Sequence, residues 1–217
     1  MESPLFNRRH FTASLSALAV GGIAGPAWPA TGPRKLLVLG DSLSAEYGLP
    51  RGSGWVALLQ KQLEQSHPGT TIVNASISGE TTSGGRSRLP ALLQQHQPSH
   101  VLIELGGNDA LRGLSLAMTT DNLAFMARAA RAAGARVLLL GMQMPPNYGP
   151  ELTRQFAALY PAVARQTGAA LVPFFLKGIG DDADPLRWFQ ADRIHPNEAA
   201  QPRLLANVWP ELNKQLK

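Results

Sequence analysis

The 217-residue chain is 44% hydrophobic and 16% charged with a formal charge of +5, the composition of one globular domain with a substantial core. It contains no cysteine, which excludes a disulfide framework, a thiolate metal site, a cysteine nucleophile and a lipid-modified N-terminal cysteine. Its basic surplus forms no dense Lys/Arg run and no basic–aromatic interleaving, so it reads as solubility and not as nucleic-acid binding.

At the N-terminus, Asn7-Arg8-Arg9-His10-Phe11 precedes a weakly apolar stretch over 13–24 and then Gly25-Pro26-Ala27-Trp28-Pro29-Ala30. A basic start, a short apolar region and a small-residue exit predict an export signal peptide over residues 1–30, twin-arginine-like, with 31–217 as the folded domain. Cleavage after Ala27 is favoured over Ala30, which would place bulky Trp28 three residues upstream. The apolar stretch is too short and too rich in Gly, Ser and Ala for a comfortable membrane span. A periplasmic or secreted protein without stable membrane insertion is expected.

Beyond the leader, nearly continuous apolar runs over 35–40, 71–76, 101–106, 136–141 and 170–175 predict five strands covered on both faces. Between them, Trp55, Leu58, Leu59 and Leu63 share one helical face. Leu123, Met126, Ala127 and Ala130 form a second stripe ahead of Gly134 as a stop. Leu152, Phe156, Leu159 and Val163 form a third, which Pro161 is expected to kink, and a last helix should start near residue 198. This alternation implies an α/β fold: a three-layer α/β/α, flavodoxin-like doubly wound sheet of five parallel strands, with ligands at the strands' carboxyl ends.

Four motifs fall at those ends. Gly40-Asp41-Ser42-Leu43-Ser44 puts a serine on the sheet rim, where N–H groups favour negative charge. Gly79 closes the second strand's loop and offers an unobstructed N–H. Gly106-Gly107-Asn108-Asp109 bends the chain so that the Asn108 amide faces the same pocket, with Asp109 read as a local cap. In Asp192-Arg193-Ile194-His195-Pro196, the aspartate is placed to accept the imidazole Nδ1–H and leave Nε2 for a serine proton. His67, His96 and His100 read as solvated loop residues. Each motif alone is ordinary turn chemistry; together they supply nucleophile, base, orienting acid and oxyanion donors.

In these blocks the chain resembles the GDSL family of SGNH hydrolases, over nearly the whole length from residue 35 onward. The runs Asn-Ala-Ser-Ile-Ser-Gly-Glu-Thr and Glu-Leu-Gly-Gly-Asn-Asp-Ala-Leu-Arg-Gly look like the branch of periplasmic acyl-CoA thioesterases, arylesterases and lysophospholipases. The resemblance implies Ser42 as nucleophile, His195 as general base and Asp192 as its partner. The oxyanion hole would comprise the Ser42 and Gly79 backbone N–H groups and the Asn108 side chain. It further implies acyl transfer without metal or organic cofactor, small acyl ester, thioester or lysophospholipid substrates, and a monomer. Leu111, Met142, Met144 and Pro145 would flank the acyl chain. Glu46 departs from the pattern, since the branch usually has glycine there, and is expected to point to solvent.

Two other readings stay open at this point. A carbohydrate O-acetylesterase would use the same triad on a different substrate. A flavin- or nucleotide-binding module is suggested by Gly178-Ile179-Gly180-Asp181-Asp182-Ala183, although that run puts two aspartates where a pyrophosphate would lie and continues into Asp184-Pro185 instead of a helix.

Overall fold

In a computed structural model of the protein, residues 34–144 and 146–217 are described, and the expected leader lies outside them. Five strands, β1 (Lys35–Gly40), β2 (Thr71–Asn74), β3 (His100–Glu104), β4 (Arg136–Leu140) and β5 (Ala170–Val172), form one sheet in the order β2-β1-β3-β4-β5. Every neighbouring pair is parallel. The central strands are buried along almost their full length, which is why their sequences are apolar without alternation.

Helices α1 (Trp55–Ser66) and α6 (Gln201–Gln215) pack together on one side of the sheet. On the other lie α2 (Thr82–His96), α4 (Leu116–Ala132) and α5 (Pro150–Thr167), in lateral contact. The short α3 (Gly107–Leu111) follows β3 at the rim. All strands but β1 end earlier than their apolar runs suggest. Past β2, the Ala75 and Ile77 N–H groups still donate to the Val38 and Gly40 carbonyls of β1 at 2.8 and 3.0 Å, and the Asn74 amide donates to the Ser44 carbonyl, so the chain is carried along β1 to the rim.

Two helices show packing overriding local preference. α5 runs unbroken through Pro161, because Phe156, Leu159, Tyr160 and Val163 are buried on it. Four such side chains at roughly 1.5–3 kcal/mol each outweigh the ~3 kcal/mol an interior proline costs. The apolar pattern does not announce α2 at all, since it carries Gly84, Gly85 and Pro90. Gly85 is the reason it fits: a Cβ there would fall 2.4 Å from Leu105 Cδ1 and 3.2 Å from Met126 Sδ, so only glycine allows this approach.

The core is one contiguous cluster spanning both faces of the sheet. Leu102 sits fully buried at its centre on β3. Leu102→Ala should lower the free energy of unfolding by about 2–5 kcal/mol, read from urea denaturation; a loss under about 1 kcal/mol would mean the sheet centre collapses around the gap.

Candidate active site

The rim loop after β1 is shaped by Asp41. Its carbonyl accepts from the Ser44 and Ala45 N–H groups at 3.2 and 3.0 Å, and its Oδ1 accepts from Leu43 N–H at 3.0 Å. This tight turn lifts Ser42 to the surface while Asp41 and Ser44 stay buried. Ser42 N–H has no acceptor among the described residues.

The base arrives from the far end of the chain. The loop bearing it is tied down by an antiparallel bridge between Phe189 and Pro196, and the Gln190 amide donates to the Tyr47 carbonyl at 2.9 Å. The Tyr47 and His195 rings lie 4.3 Å apart, holding the imidazole over the Ser42 loop. Asp192 Oδ1 accepts from the Ile194 and His195 N–H groups at 2.9 and 3.0 Å, and its Oδ2 lies 2.6 Å from His195 Nδ1. His195 Nε2 lies 2.9 Å from Ser42 Oγ. A serine, an imidazole and a carboxylate thus form one relay across 153 residues of sequence. The backbone N–H of His195, then that of Ile194 and the imidazole, hold the Asp192 carboxyl down at about 2.

Opposite the imidazole stand the other two segments. Gly79 adopts φ +79, open to glycine at little cost, and its N–H has no acceptor among the described residues. Arg112 donates to the Gly79 carbonyl at 2.9 Å, and Arg88 pairs with Glu80 at 2.6 Å, so the turn is pinned from two sides. Asn108 Nδ2 donates to Asp41 Oδ2 at 2.9 Å and to the Glu80 carbonyl at 3.0 Å. Both its amide protons are therefore engaged in the resting site. The structure thus brings Ser42, Asp192, His195, Gly79 and Asn108 to one rim. An imidazole so held is placed to take a serine proton, and free N–H groups beside that serine are placed to receive negative charge.

Other expectations change. Glu46 does not point freely to solvent: its carboxylate accepts from Gly52 and Gly54 N–H at about 3 Å, stapling the loop ahead of α1. Its φ of +59 explains why glycine suits that position. Asp109 is no local cap; fully buried, it accepts from Thr82 N–H, Thr82 Oγ1 and Thr119 Oγ1, tying α3 to α2 and α4. His100 is buried within β3 against Ser99 and the Gln215 carbonyl, where burial lowers its basicity. His67 Nε2 pairs with Asn213 at 2.9 Å. The Gly178–Ala183 run closes on itself, Asp181 capping Gly178 N–H and Asp182 taking the Trp188 indole N–H and Arg187.

Of the acyl-flanking candidates, Leu111 is about half exposed. Met142 and Met144 have nearly all their surface within the core, although Met142 Cε comes 4.0 Å from where a Cβ on Gly107 would be. Pro145 lies outside the described residues. Three exposed apolar side chains that sequence reasoning passed over, Tyr47, Ile77 and Ile194, stand with Leu111 beside the four site segments. An apolar residue adjoining each polar block was the available signal. Among the described residues, no group of three or more His, Asp or Glu is placed to hold a metal ion, and no helix is long and apolar enough to cross a membrane.

Comparison with known proteins gives a consistent picture. Residues 38–202 match the GDSL-like Lipase/Acylhydrolase family. Esterase TesA of Pseudomonas aeruginosa is 58% identical over 181 residues, 83% of this chain and 89% of that protein. A crystal structure of TesA superposes with a TM-score of 0.80 at 57% identity, covering 85% of this chain and 100% of that one. An arylesterase of Vibrio mimicus is 43% identical over 84% of this chain and 90% of its own. Thioesterase 1/protease 1/lysophospholipase L1 of Escherichia coli K12 is 46% identical over 77% of each chain.

The contacts at Asp192 have a consequence for acid stability. Its folded value, about 2, lies below the ordinary 3.8, so the folded chain binds fewer protons in that interval and loses stability as pH falls through it. Thermal denaturation followed from about pH 5 to pH 2 should fall less steeply for Asp192→Asn than for wild type. Parallel slopes would show that these contacts do not hold the charge.

Proposed function

The chain belongs to the GDSL-like Lipase/Acylhydrolase family, and we propose that it cleaves acyl esters and thioesters through an acyl-serine on Ser42. It is a carboxylic ester hydrolase whose substrates are small molecules. The observation that carries the mechanism is the relay of 2.6 and 2.9 Å from Asp192 through His195 to Ser42, beside two N–H groups without an acceptor among the described residues.

His195 Nε2 accepts the Ser42 hydroxyl proton as Oγ attacks the carbonyl carbon. The new imidazolium is stabilised by Asp192, whose charge the two loop N–H groups already secure. The carbonyl oxygen, now negative, is received by Ser42 and Gly79 N–H. Asn108 joins them by releasing the Glu80 carbonyl, its longer bond, while keeping Asp41 as anchor. Collapse expels the alcohol or thiol, which takes the proton back from His195. Water then repeats the sequence on the acyl-serine and frees the acid.

Exposed Tyr47, Ile77, Leu111 and Ile194 lie in or beside the segments that carry Ser42, Gly79, Asn108 and His195, and they support a fatty acyl group over acetyl as the preferred cargo. That separates this reading from a carbohydrate O-acetylesterase. The Arg8-Arg9 leader supports export, with residues 31–217 working as a monomer in the periplasm or outside the cell.

Purified mature protein should hydrolyse p-nitrophenyl octanoate and palmitate as well as acetate, and a fluorophosphonate should label Ser42. Activity confined to acetate would overturn the fatty-acyl reading, and an active Ser42→Ala variant would overturn the acyl-serine. Asn108→Ala should fold normally and lose about a hundredfold or more in turnover; near-normal turnover would remove Asn108 from the oxyanion hole.

A further inference from the structure

Beneath the nucleophile loop lies a second carboxyl that the reaction sequence does not use. Glu104, the last residue of β3, is 0% exposed and points into the floor under Ser42. Its Oε2 accepts from Ser44 Oγ at 2.8 Å and from Asp41 N–H at 3.3 Å. Trp55 Nε1 donates onward to Ser44 Oγ at 3.2 Å, closing that side. The other oxygen, Oε1, is buried and receives no donor among the described residues. An ionised carboxylate would leave that oxygen uncompensated inside the core, next to the buried carboxyl of Asp41, and among the described residues no cation hydrogen-bonds the pair.

One proton resolves the conflict. Placed on Glu104 Oε1, it turns an orphaned acceptor into a donor beside Asp41, whose own N–H already reaches Glu104 Oε2 at 3.3 Å. Asp41 then remains the charged partner. It keeps Oδ1 for Leu43 N–H and Oδ2 for Asn108 Nδ2, the amide that turns toward the oxyanion. We propose that Glu104 is a positioning residue, a neutral carboxylic acid that donates to Asp41 and so fixes Asp41 as the acceptor that aims Asn108 and shapes the Ser42 turn. The electrostatics agree in direction. Burial and then the adjacent Asp41 push Glu104 well above the carboxylate range, and burial also raises Asp41, to about 6. The pair is faced by Ser44 and Trp55 from the α1 side, Asn108 from α3, Tyr160 from α5 and His195 from the C-terminal loop.

This rests on Asn108 acting in the oxyanion hole, and the experiment separates the two ideas. Glu104→Gln keeps a donor toward Asp41, whereas Glu104→Leu keeps volume without one. E104Q should retain turnover within about threefold of wild type, and E104L should lose at least about tenfold in kcat with KM little changed, as a misaimed transition-state donor requires. If E104L keeps wild-type kcat, or E104Q falls as far as E104L, the positioning role is overturned. Should E104L not fold, the infrared spectrum of the intact wild-type protein decides: a protonated-carboxyl carbonyl band at pH 8, lost in E104Q, is expected, and its absence sinks the proposal. Ser42→Ala serves as the control, since its remaining active would overturn the acyl-serine reading instead.

Discussion

The fold depends on a sheet in which β1 lies between β2 and β3, so that three successive strand ends open onto one crevice. Parallel pairing forces each connection over a face of the sheet, and the loops at the carboxyl ends are left free to turn inward. Ser42 follows β1, Gly79 follows β2 and Asn108 follows β3, so strand order alone makes them neighbours. Only His195 needs a separate device, and the Phe189–Pro196 bridge with the Gln190 and Tyr47 contacts supplies it.

The rim segments bearing Ser42, Gly79, Asn108 and His195 each adjoin an exposed apolar side chain. Their polar groups are held by neighbours instead of by water: Asp192 by two backbone N–H groups, Gly79 by Arg112, Asn108 by Asp41 and the Glu80 carbonyl. In the proposed reaction this anchoring leaves one hydrogen bond to exchange as charge develops, that from Asn108 to the Glu80 carbonyl. The cost of the anchoring is the burial of two acids, Asp41 and Glu104, on the floor of the site. A fold selected for stability alone would place apolar side chains there.

Where the sequence reading and the structure part, long-range contacts are responsible. Asp109 looked like a loop cap because Asn-Asp in a turn usually is one; three donors from α2 and α4 make it a tie between helices. His100 sits in a polar run, yet β3 carries that position under the C-terminal end of α6. Glu46 occupies a left-handed position and is kept there by two glycine N–H groups six and eight residues on. α2 is hidden by its glycines and proline, and becomes intelligible only with Leu105 and Met126 packed against Gly85.

By itself the sequence determined the architecture and the identity of the polar groups at the rim. Unalternating apolar runs require strands buried on both faces, and Asp192-x-x-His195 has the reach to pair within one turn. The tertiary structure decided what those groups touch. The 2.9 Å from His195 to Ser42, the engagement of both Asn108 amide protons and the meeting of Glu104 with Asp41 span between 28 and 153 residues. Their geometry is set by strand register and loop anchoring, which local periodicity does not encode.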